Sequence, residues 1–201
     1  MANADFNRLM DQLRVRLPGA LDGTLKLELF TVVDEFLSGS NCWTEEVPFA
    51  VNPSEKTYYV FTISNAAINR LMQITTDADL PVAARMPEPG TIELHNSPSE
   101  NGTYKAVVAL TVSDPTDPEG YPEVPEWILS KYLSEILDGV LGRMMSQIAK
   151  PYTQTTLASF HMKRFEQGVK RASVEARHGM VYRGQNWAFP QNFAYRRKLQ
   201  W

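Results

Sequence analysis

Cysteine is almost absent from this chain: Cys42 stands alone among 201 residues. An internal disulfide is therefore impossible, and the composition suits a reducing compartment. Histidine is nearly as scarce, and His95, His161 and His178 are scattered. The last two share one expected helix but lie too far apart in it for joint metal ligation. No apolar run approaches the roughly 20 residues a membrane-spanning helix needs, so no membrane contact is expected. The first turns hold acids and arginines without an apolar stretch, which predicts no cleaved secretion signal. Asn101-Gly102-Thr103 matches a glycosylation pattern but reads as a turn.

The signatures of chemistry are missing as well. There is no Gly-rich phosphate loop, no HExxH, no CxxC and no GxSxG. Cys42, beside Trp43, reads as a small buried hydrophobe. Asp34 and Glu35 are neighbours, so on a helix they point about 100° apart and form no acid–base pair. Glu45 and Glu46 would face opposite sides of a strand. Asp114, Asp117 and Glu119 lack the calcium-loop pattern and read as turn formers. We expect no catalytic, cofactor-binding or metal-binding residues, no cofactor, and no enzyme.

What the chain does have is contrast. Its net charge is only −3, yet the last forty residues carry nine basic side chains against Glu166 and Glu175 alone, or +7. Residues 1–161 must then sum to −10. An acidic body with a basic end suggests an acidic partner, nucleic acid, or head-to-tail contact between like subunits.

Three textures follow one another. Phe6, Leu9, Met10, Leu13 and Leu17 make one helical stripe, with Asn3 or Asp5 as a cap and Pro18-Gly19 as a stop. From Asp22 to Phe36 two patterns compete. Leu25, Leu27 and Leu29 alternate like a strand, while Leu21, Leu25, Leu29, Val32, Val33 and Phe36 form a longer helical stripe ended by Ser38-Gly39-Ser40. The helix explains more residues. The middle then breaks into short runs at 47–51, 58–63, 71–75, 91–95 and 104–112, which suggest a small antiparallel sandwich or barrel. The last run is apolar on both faces and should be a central, covered strand.

After a Pro-rich connector from Asp114 to Pro125, an apolar stripe runs from Trp127 to Ile148. A second helix, capped by Thr153, carries Leu157, Phe160, Phe165, Val169 and Ala172 and ends near Gly179. Together they predict an antiparallel hairpin. Gly139 and Gly142 mark a close approach by a neighbouring helix. On the second helix Lys163, Arg164, Lys170 and Arg171 line one face and are candidate inter-subunit contacts.

The final segment, Met180–Trp201, is aromatic and basic without either structural period. Tyr182, Arg183, Trp187, Phe189, Phe193, Tyr195, Arg196, Arg197, Lys198 and Trp201 are candidate anchors of an extended arm on another protein. A tail that folds back on its own domain is the alternative. The fold class is α+β: a helical bundle from N- and C-terminal helices, an inserted small antiparallel β-sandwich or barrel lobe, and an extended C-terminal arm. The units are 1–40, 41–121, 122–179 and 180–201.

Between Pro122 and Phe193 the order and spacing of several stretches resemble bacteriophage head-to-tail adaptor proteins. They are Pro122 to Tyr132, Ile136 to Met144, Lys150 to Gln154, Leu157 to His161, Phe165 to Gly168, and Trp187 to Phe193. In the N-terminal half only the layout is similar. The resemblance implies a structural virion protein assembled in the host cytoplasm. It implies a homo-oligomeric ring, commonly dodecameric, beneath the portal protein, with a tail or nozzle protein below. It also implies that each arm contacts the portal and that packaged DNA passes without sequence-specific binding. Nucleic-acid binding through the basic helix and aromatic tail stays open as another class of function, and a virion hydrolase as a third.

Overall fold

The structure, a computed structural model, describes residues 2–62, 66–113 and 123–177. Among these it is a mixed α+β fold of four helices and two three-stranded antiparallel sheets.

Helix α1 (Ala2–Arg16) buries Phe6, Leu9, Met10 and Leu13, and Leu17 follows them into the core. It starts ahead of both expected caps, so Asn3 and Asp5 lie inside it; helix ends are legible only to a residue or two. Gly19 ends the turn with φ +84°, a conformation glycine adopts without strain. Helix α2 (Asp22–Ser40) settles the competing patterns. Leu25, Leu29, Val32, Val33, Phe36 and Leu37 are buried, whereas Leu27, which a strand would have turned inward with Leu25 and Leu29, is 67% exposed. Leu21 is exposed too, because it precedes the helix in extended backbone. The helix runs through Ser38-Gly39-Ser40 and stops one residue later. There left-handed Asn41 donates its N–H to the Leu37 carbonyl at 2.8 Å. Gly39 serves packing instead: a Cβ there would lie 2.8 Å from Val169.

The β lobe comprises β1 (Thr44–Val51), β2 (Thr57–Tyr59), β3 (Ala66–Thr76), β4 (Ala84–Glu88), β5 (Thr91–Leu94) and β6 (Gly102–Val112). The sheets are ordered β1-β6-β3 and β2-β5-β4. Val47, Phe49, Ile74, Ala106 and Val108 of the first share a core with Tyr58, Ile92 and Leu94 of the second. They form an open pair and not a closed barrel. Closure needs a continuous ladder where the sheets adjoin, and between β3 and the β4 side the described residues make a single isolated bridge, Thr75–Pro81, with its bonds from Val82 to Ile74 and from Thr76 to Leu80. Strand β6 is central, as its apolar faces predicted. Its second face is covered where Ala109 is buried and Thr111 donates to Asp34 of α2 at 2.5 Å.

Helices α3 (Glu126–Met145) and α4 (Thr155–Arg177) follow. Helix α3 stops three residues short of Ile148, which is 88% exposed, and Trp127 near its start is 41% exposed, so neither belongs to the core. Thr153 does not cap α4. Its hydroxyl donates to Gln147 O and accepts from the Lys150 N–H, tying the loop. Leu157 and Phe160 face outward, while Ala158, Phe165 and Ala172 are buried. Side chains of all four helices meet in one apolar cluster. Gly139 lets Val32 and Phe165 approach to where a Cβ would meet them at 2.5 and 2.8 Å, and Gly142 does the same for Met162 at 2.7 Å.

Candidate functional site

Among the described residues the densest polar arrangement is the seam between α3 and α4. Its contacts run in opposite chain directions: Tyr132 meets Glu175, Glu135 meets Arg171, and Asp138 meets Arg164 and His161. The helices are therefore antiparallel, and successive partners sit three residues apart on α3 and four, seven and three apart on α4, the spacings of one helical face.

Glu135 and Asp138 are 8% and 4% exposed, so their carboxylates depend on partners. Asp138 is held on both oxygens, by His161 Nδ1 at 2.8 Å and Arg164 Nε at 3.0 Å. Glu135 receives the Arg171 guanidinium and, on its other oxygen, the Ser134 hydroxyl at 2.9 Å. Gly168 makes room for this, because a side chain there would overlap Glu135. At the far end Glu175 takes Lys131 and the Tyr132 hydroxyl, each at 2.8 Å. The bond from Lys131 in particular, and then that from Tyr132, holds the Glu175 carboxyl below its ordinary range despite partial burial. Burial first, and the Glu175 bond second, push the Tyr132 hydroxyl up, so it remains a donor. Tyr132 also has non-helical backbone (φ −116°, ψ 19°), which marks a kink in α3 where its side chain reaches across.

Chemically the seam is a saturated ion lattice. No buried side-chain N or O among the described residues lacks a partner. What the lattice does is fix α4 in register and rotation against α3.

The candidate inter-subunit residues divide between two directions. Arg164 and Arg171 lie against α3 and serve the seam. Lys163 and Lys170 are exposed and have no ion-pair partner among the described residues. The arm candidates Tyr182, Arg183, Trp187, Phe189, Phe193, Tyr195, Arg196, Arg197, Lys198 and Trp201 lie outside the described residues, as do His178, Asp114, Asp117 and Glu119. Asp34 and Glu35 diverge as expected, the first to Thr111 and the second to Arg143 at 3.2 Å. Cys42 is buried, and burial pushes its thiol up. Among the described residues no cluster of His, Cys, Asp or Glu could hold a metal, and no helix is long and apolar enough to cross a membrane.

Sequence reasoning missed Glu135, Asp138 and Glu175. The available signal was two acids three apart inside an apolar stripe, facing a helix with bases at matching spacing. No protein-family model matches the chain, and no curated protein matches it either.

Proposed function

We propose that this protein is a structural head-to-tail adaptor of a bacteriophage virion, its copies forming a ring beneath the portal and joining capsid to tail. The observation that carries the reading is the division of charge. A clamped hairpin presents outward basic side chains that have no ion-pair partner among the described residues, while residues 1–161 carry −10. Two unlike flanks on one subunit are what a heterologous, closing contact requires. The resemblance from Pro122 to Phe193 adds the portal and the tail protein as partners.

In this reading the four helices act as one bundle carrying the β lobe, and 180–201 is the portal-binding arm. The ring is dodecameric, DNA passes through it without sequence-specific binding, and nothing is catalysed. Co-sedimentation with the cognate portal is the direct test, with binding of the full chain as the expected result. A chain that stays monomeric and unbound at high concentration overturns it. Removing 180–201 should abolish docking and leave the melting temperature unchanged, since aromatic anchors each contribute about 2 kcal/mol or more to such contacts.

The exposed Lys163 and Lys170 favour one second reading, a nucleic-acid-binding protein. Binding would then weaken steeply with salt as counterions are released. Portal binding that outlasts DNA binding as salt rises decides for the connector.

A further inference from the structure

Strand register gathers the loops of the β lobe at one end. Gly102, the first residue of β6, lies opposite Val51, and Tyr104 lies opposite Thr76. The segments 52–56, 77–80 and 95–101 therefore meet at this tip. They bring together exposed Glu55, Asp77, Asp79 and Glu100 against Lys56 alone. None of these four acids has an ion-pair partner among the described residues. The 77–80 turn is closed by backbone hydrogen bonds. Asp79 N–H donates to Thr76 O at 2.9 Å, Thr76 N–H donates to Leu80 O at 2.9 Å, and Leu80 itself is 62% exposed.

The outer face of α4 is the complement. Phe160, Lys163, Gln167, Lys170, Val174 and Arg177 recur at alternate spacings of three and four, which keeps them on one side. Phe160 and Val174 are each 53% exposed, and the three cations have no ion-pair partner among the described residues. Within one chain the tip stands well off the Arg177 end of this face. Met72 of β3 lies beside Arg177 at a groove of about 210 Å³, and Asp77 is five residues further along a strand leading away, or about 17 Å.

We propose that the acidic tip of one copy docks on the outer face of α4 of a second copy, with Asp77 and Asp79 against Lys170 and Arg177 and with Leu80 against Val174. This rests on the connector reading for its expectation that copies associate, and it names the surfaces that do so. The contact is head-to-tail, so an open assembly always keeps one tip free at one end and one face free at the other, and it propagates until it closes.

Sedimentation velocity on the full chain tests it, using Asp77→Lys/Asp79→Lys and Lys170→Glu/Arg177→Glu. Each reversal alone should associate at least about a hundredfold more weakly than the parent chain, because like charges then face each other. Combining all four substitutions in one chain, or mixing the two variants, should restore association. Circular-dichroism melts confirm folding, and Asp77→Asn/Asp79→Asn with Lys170→Gln/Arg177→Gln replace any reversal that unfolds. A parent chain that assembles while both reversals assemble equally well overturns these surfaces and leaves the ring standing. A parent chain that never self-associates overturns both. Loss of single-stranded DNA binding in Lys170→Glu/Arg177→Glu, with association unchanged, assigns the face to nucleic acid and overturns the proposal.

Discussion

The helices and the β lobe reach stability by different routes. In the helical part, buried Glu135 and Asp138 demand cations from a second helix, and Gly139, Gly142 and Gly168 leave no slack where helices touch. The lobe instead relies on alternation. Phe49 packs against Tyr58 and Tyr104 with ring centroids 5.5 and 6.2 Å apart, and its polar pairs, such as Arg85 with Glu93, stay near the surface. A core built from alternation tolerates exchange of one apolar residue for another of similar volume. One built from charge partners and missing side chains specifies register at each contact. The functional consequence follows: the part that orients α4 is the part whose geometry is most tightly set.

The largest effects should come from deleting one ring in each region. Phe36→Ala, which removes the partner of Tyr132 and Phe165, and Phe49→Ala should each cost about 3–5 kcal/mol in chemical denaturation. Hydrogen exchange should localise the second loss to the lobe, while the first also loosens β6, which is bonded to α2 through Thr111. Equal loss of protection everywhere after both changes would erase the distinction. Next is Gly139→Ala, expected to cost about 3 kcal/mol because its Cβ would sit 2.5 Å from Val32. Gly23→Ala, with nothing within 4 Å, should instead gain up to about 0.5 kcal/mol, and a loss there would refute the packing account.

Asp138→Asn keeps the shape and removes the charge that Arg164 and His161 meet; about 2 kcal/mol should be lost, with little dependence on salt. Arg85→Ala in the lobe breaks an exposed pair and should cost under about 1 kcal/mol. Comparable values in the two would show that burial does not set the difference. The smallest effect concerns pH. Glu175 has a folded pKa below its ordinary 4.5, so its contribution is full above that value and is lost as pH falls through the folded one. Glu175→Gln should flatten this part of the acid limb, and an unchanged limb would assign acid sensitivity elsewhere.

Some of this was legible in the residues themselves. Helix α2 could be recognised because its stripe outran the competing alternation, and β6 because both faces were apolar. Strand β4 could not: Arg85, Met86 and Pro87 carry no alternation, and it exists through pairing with β5, where proline is tolerated at an edge. The seam was hidden for a related reason. Glu135 and Asp138 look solvated until the cations of a helix some thirty residues later are laid against them. The four bases of α4 looked like one face, yet a 100° step between neighbours turns Arg164 and Arg171 toward α3 and points Lys163 and Lys170 away from it.

The join between α2 and β1 has a mechanical meaning. Only three residues separate Ser40 from Thr44, and across that join Asn69 donates to the Ser38 carbonyl at 3.3 Å while Leu110 donates to the Trp43 carbonyl at 2.8 Å. The lobe is thus welded to the helix and swings with it. Strand β3 runs about 24 Å beyond Asn69 to its end at Thr76, so a turn of α2 by about 10° would sweep the far end through about 4 Å. A small rotation at the helix would thus be magnified at the loops that cap the far end of the lobe.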